Sequence, residues 1–163
     1  MKTILRWVPL GMVLLFGCSE PLPPDAASIR PVLSLKQFME WVLDPAADII
    51  WDSVKTVYTS EGAKEIRPQT AEQWAEIVNA ARRLKEGGNL LMNEERMRDN
   101  KDWGNRARAL VAGADKALTA AEAKNVEALF TEGETIYHAC AGCHQRFAAF
   151  AQENVPPGKS AKK

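Results

Sequence analysis

The sequence predicts an all-α fold, a four-helix bundle, and three observations point to it. Alanine is abundant while β-branched residues are sparse, a balance that favours helix. No stretch alternates apolar and polar residues for long, as a half-buried strand would. Apolar residues instead recur at threes and fours along four segments, two of which open on a capping box. A chain of 163 residues supports one core rather than two.

The first segment, about Ser34 to Tyr58, carries Leu35, Met39, Val42, Leu43, Ala46, Ile49 and Ile50 at helical spacing. Asp44-Pro45 interrupts it, because proline lacks a backbone donor and disfavours helix before it. A kink is expected there, or two short helices with Asp44 capping the second. Gly62 and Pro68 mark a connecting loop, and no strand is expected. In the second segment Thr70 and Gln73 form a capping box, followed by the stripe Trp74, Ile77, Val78, Ala81 and Leu84. Gly87-Gly88 is expected to end it, the alternative being that Leu90, Leu91 and Met92 continue the packed face after a bend.

The third segment, about Asp102 to Leu118, turns Trp103, Ala107, Leu110, Val111 and Ala114 inward. Its charges Arg106, Arg108 and Lys116 read as a solvated face. Thr119 and Glu122 form a second capping box that opens the longest segment, about Ala120 to Gln152. Its stripe is Val126, Phe130, Gly133, Tyr137, Cys140, His144 and Phe147, so Cys140 and His144 are expected on the inner face. Trp41, Trp51, Trp74 and Trp103 are assigned to packing. The resulting layout is a signal over 1–17, a Pro-rich tether over 18–33, one helical domain over 34–153 and a flexible tail over 154–163.

Basic and acidic residues balance at 21 each, so overall charge points to neither nucleic acid nor a broad membrane-binding surface. At the N-terminus, Lys2 and Arg6 precede an apolar stretch from Trp7 to Phe16 that is too short to span a bilayer. Leu15-Phe16-Gly17-Cys18 resembles a bacterial lipobox, which implies acylation of Cys18; a plain signal peptide is the alternative reading. Pro21, Pro23, Pro24 and Pro31 give the extended spacer a lipid anchor needs. By the same resemblance, Ser19 after the cysteine implies the outer membrane.

Cys140-Ala141-Gly142-Cys143-His144 has the spacing of a c-type haem attachment motif. Two thiols three residues apart on a helix face the same porphyrin edge and form thioethers with its vinyl groups. His144 follows as the proximal iron ligand. A zinc site is poorly supplied with further ligands, only His138 and the distant Cys18 being left. A thioredoxin-like pair belongs in a βαβ setting, and a disulfide is the bland alternative. Export favours haem, because bacteria attach it covalently outside the cytoplasm. His138, two residues before Cys140, points away from that face and reads as partly exposed.

With this motif on the fourth helix near the C-terminus, residues 34 to 152 resemble the cytochrome c-prime family, the class II c-type cytochromes. The resemblance implies one covalent haem c on the C-terminal helix. Tyr137-His138-Ala139 and Gln145-Arg146-Phe147 also look like a class II ending, which implies that Arg146 lies near the propionates; a solvent-facing charge is its other reading. Low-spin relatives take a methionine from the first helix as sixth ligand, which implies Met39. The alternative is a vacant distal site lined by Met39, Val42 and Leu43, with Met92 and Met97 as weaker competitors.

The expected function is single-electron transfer with periplasmic redox partners, by a protein that is not itself an enzyme. Binding of nitric oxide or carbon monoxide at a five-coordinate haem is the alternative, and peroxidase chemistry ranks below both. A homodimer is compatible with the resemblance.

Overall fold

The computed structural model describes residues 31–98 and 101–153, with side chains to 148. Cys18, the signal, most of the tether and the tail over 154–163 lie outside the described residues. The described residues are mostly helical, with one small two-stranded sheet among them. Among the described residues no helix is long and apolar enough to cross a membrane.

The first helical run comprises α1 (Leu35–Phe38), a π turn (Met39–Leu43) and α2 (Asp44–Ser53). Ser34 caps it: its hydroxyl accepts from the Gln37 N–H at 3.2 Å, and the Gln37 side chain accepts from the Ser34 N–H at 3.1 Å. Pro45 does not split the run, and Asp44 is not a cap. Pro45 cannot donate into the preceding turn, and its ring crowds the carbonyl four residues back. The π turn adds one residue to that turn, so the Asp44 N–H bonds to the Met39 carbonyl five residues back.

The run stops at Ser53 rather than Tyr58, because Val54 is extended and a hairpin follows. Its strands, β1 (Lys55–Thr59) and β2 (Gly62–Ile66), pair antiparallel from Lys55↔Ile66 to Thr59↔Gly62. Thr56, Val57, Tyr58 and Thr59 are β-branched or aromatic, residues that suit a pleated strand. Gly62 leaves the tight turn at φ +123°, which only glycine adopts without strain.

α3 (Ala71–Leu90) opens on the expected capping box of Thr70 and Gln73 and buries Trp74, Ile77, Ala81 and Leu84. Gly87 and Gly88 do not end it. Both are buried in its last turns, where a Cβ on Gly87 would overlap Leu43 and one on Gly88 would meet Val111 and the Ala107 carbonyl. They serve close packing rather than termination.

α4 (Asp102–Glu122) runs past Leu118, with Thr119 inside it donating to the Asp115 carbonyl. The second capping box is therefore not formed. α4 ends at Lys124, φ 53°, with the Asn125 and Lys124 N–H groups bonded to the Ala120 and Ala121 carbonyls in a Schellman arrangement. Asn125 then caps α5 (Val126–Glu153) by accepting from the Ala128 N–H at 3.0 Å.

α3 packs along α4, α4 along α5, and α2 against both α3 and α5. The core is Phe38, Leu43 and Ile50 from the first run, the α3 stripe, Trp103, Leu110 and the alanines of α4, and Leu129 and Ile136 of α5. The expected α5 stripe holds at Gly133 and Phe147, which are buried, but is displaced by one position at two others. Leu129 and Ile136 are fully buried, whereas Phe130 is 50% and Tyr137 58% exposed. Trp74 and Trp103 are buried and Trp51 half-buried, but Trp41 is 60% exposed and is no core anchor.

Candidate functional site

From one stretch of α5, Cys140, Cys143 and His144 line a cleft of about 490 Å³, counted to its open mouth; the two cysteines are half-buried, whereas His144 is exposed rather than on the inner face expected for it, because it lies at the cleft's rim. The first helical run contributes Met39, Leu43, Asp44 and Ala47, α4 contributes Trp103, Arg106, Ala107 and Leu110, and Leu91 follows α3. A second cleft of about 640 Å³ includes Leu35 and Phe147 and shares Met39, Trp103, Cys143 and His144 with the first. The two therefore meet at the four shared side chains. Their walls are mainly apolar, and Trp103 is fixed by donating to the Leu91 carbonyl at 2.6 Å and by edge contact with Phe147 at 5.0 Å.

The two cysteines are free thiols, partly buried. Burial pushes the Cys140 thiol up to about 11, with the Asp44 and Cys143 charges adding to the effect. Cys143 is raised for the same reason, with Asp102 adding and Arg106 opposing. The Asp44 carboxyl is raised by burial and by Asp48 and Glu40, against the pull of His144. The site is a desolvated place that favours neutral thiols.

Arg106 is a site residue that sequence reasoning missed. It lines the first cleft, donates through Nη1 to the Gly142 carbonyl, and has Nε 3.3 Å from Asp102 Oδ1. The signal that could have found it is its helical spacing between Trp103 and Leu110. Arg146 sits further out: its side chain is 56% exposed, its Nε is 3.6 Å from Asp102 Oδ2, and it lines neither cleft.

Of the methionines expected near the site, Met39 lines both clefts, while Met92 and Met97 line neither. Met92 packs on the core and accepts from Arg108 Nη1 at 3.9 Å. Leu43 joins Met39 in the first cleft, but Val42 does not. His138 is exposed, its ring 5.8 Å from Tyr137. Compared with known proteins, the chain matches no family model, no curated relative and no solved structure.

Proposed function

We propose that the chain is a c-type cytochrome. The observation that carries this reading is that two free thiols at helical positions i and i+3, and the histidine after them, line one apolar cleft from a single helix. More specifically, we read it as a class II, cytochrome c-prime-like electron carrier: a four-helix bundle with one haem on its last helix, lipid-anchored through Cys18 at the outer membrane and facing the periplasm. Its partners are then periplasmic redox proteins, and it makes no bonds itself.

The residues present fit the group. Cys140 and Cys143 would hold the group through two thioethers, and His144 would offer its iron one nitrogen. Bound haem supplies a one-electron ferric/ferrous couple. Leu43, Ala47, Ala107 and Leu110 give that cleft an apolar wall, which would limit the solvent reorganisation that accompanies a change of charge. Met39, the methionine that lines both clefts, offers a thioether sulfur as sixth ligand.

The same apolar wall beside Met39 favours the second reading, a five-coordinate haem that binds nitric oxide or carbon monoxide. The optical spectrum of the purified protein separates the two. Electron transfer predicts a low-spin haem with the weak red charge-transfer band of a bond between methionine and ferric iron, lost in Met39→Ala. A high-spin haem that takes up carbon monoxide supports the second reading, and a protein without haem refutes both.

A further inference from the structure

Met39 begins the π turn, and the helix before it, α1, is a single turn. One turn does not hold itself in water, because nucleation fixes several residues for a single hydrogen bond. The Ser34–Gln37 box caps it, but both of its bonds are solvent-exposed. Arg96, in the loop after α3, supplies a buried hold. That loop turns at Asn93, whose carbonyl accepts from the Arg96 and Met97 N–H groups at 2.9 and 3.0 Å and whose side chain accepts from the Glu95 N–H at 3.0 Å. Arg96 is left 7% exposed. Its Nη1 donates to the Leu90 carbonyl at 3.4 Å and its Nη2 to the Leu33 carbonyl at 3.5 Å, while its guanidinium carbon lies 4.3 Å from the centre of the Phe38 ring. Phe38 is itself buried, its Cζ 3.5 Å from where a Cβ on Gly87 of α3 would stand. One side chain thus grips the chain on both sides of the Ser34 cap and joins it to the end of α3.

We propose that Arg96 is a positioning residue for Met39, clamping α1 to the end of α3 so that Met39 stays where the two clefts meet. The inference rests on the reading of Met39 as sixth ligand and names what holds it in place. Met39 follows Phe38 directly and lines both clefts, so a shift of Phe38 carries Met39 with it. The Arg96 Nε is buried without a hydrogen bond. A buried donor left unpaired is costly, so a residue that only filled this space would be apolar. What the guanidinium adds is a fork that reaches two carbonyls at once and a flat face for the Phe38 ring.

The test uses the haem-loaded protein, as wild type and as Arg96→Met, Arg96→Lys, Phe38→Leu and Leu129→Ala. Two quantities are read: the charge-transfer band of the bond between methionine and ferric iron, and amide hydrogen exchange across residues 35–44. Arg96→Met keeps an apolar stem without the fork; it should lose the band and speed exchange in that segment, with exchange in α4 unchanged. Arg96→Lys should restore both in part. Phe38→Leu, which removes the ring under the guanidinium, should weaken the band with Met39 still present. Leu129→Ala lies in the α5 core and lines neither cleft, so it should lower stability and keep the band. A haem-loaded Arg96→Met protein that keeps the band and the wild-type exchange overturns the proposal, as does equal loss of the band in Leu129→Ala. Should Arg96→Met fail to accumulate, an unchanged band in Phe38→Leu overturns it instead. A wild-type chain without haem, or with haem and no such band, overturns the reading of Met39 as ligand and this inference together. A band that is present and insensitive to Arg96 overturns this inference alone.

Discussion

The Asp44 N–H bonds to the Met39 carbonyl five residues back, not four, and this one widened turn decides which side chains of the first helical run enter the cleft. Each residue of an α-helix advances the side chains by about 100°. The extra residue therefore re-aims everything before it relative to everything after it. Deleting the exposed Trp41 should close the turn to an α-helix, rotate Met39 out of the cleft and force Pro45 into a regular helix interior. That arrangement costs about 3 kcal/mol. Thermal melts should show the loss, and adding Pro45→Ala to the deletion should recover much of it. A deletion as stable as wild type would argue against the role given to the π turn.

Leu129 and Ile136 are fully buried on α5, while the neighbouring Phe130 and Tyr137 are half-exposed. Leu129→Ala and Ile136→Ala should each cost about 2–5 kcal/mol, the lost transfer energy plus a cavity. Phe130→Ala should cost less than half as much. Urea unfolding of the three variants checks the order, and the reverse order would mean that α5 is rotated by one residue from the position described.

Gly88→Ala sets two effects against each other. Helix propensity gains about 1 kcal/mol. Against this, the new methyl meets Val111 Cγ2 at 2.6 Å and the Ala107 carbonyl at 3.3 Å, and backbone does not step aside. Overpacking of this kind costs about 1–3 kcal/mol, so the net sign should be destabilising. A raised melting temperature would show that α3 and α4 have room to separate.

On the proposed lipid anchor, membrane retention should depend on Cys18. Each acyl CH₂ buried in the bilayer contributes about 0.8 kcal/mol, so a multiply acylated N-terminus should survive salt washing of the membranes. Cys18→Ala should release the protein or block its processing. Unmodified wild-type protein in the soluble periplasm would refute the anchor.

Much of the helical layout is legible because a 3.6-residue period is local. The α3 stripe and its Thr70–Gln73 box stand where the residues alone put them. Features decided by a neighbour were harder to read. Gly87-Gly88 has the composition of a helix end, and only the passage of Leu43 and Val111 across them makes them packing residues. On α5, Leu129 and Phe130 belong to adjacent apolar stripes, and the position of α4 decides which is buried. The hairpin had a local signal in Thr56-Val57-Tyr58-Thr59 that was absorbed into the preceding helix. For the site, the spacing of Cys140, Cys143 and His144 is visible in the sequence. Arg106 was hidden because a charge on a helix usually faces water.

Covalent attachment through Cys140 and Cys143 is the central claim, and acidic organic extraction of the denatured protein tests it most directly. The protein should be made in a host able to attach c-type haem. Wild-type polypeptide should keep its haem after extraction and show the pyridine haemochrome spectrum of a haem with both vinyl groups saturated, while the double variant Cys140→Ala, Cys143→Ala should retain none. Wild-type protein that gives up its pigment to the solvent, or that carries none, would contradict the account.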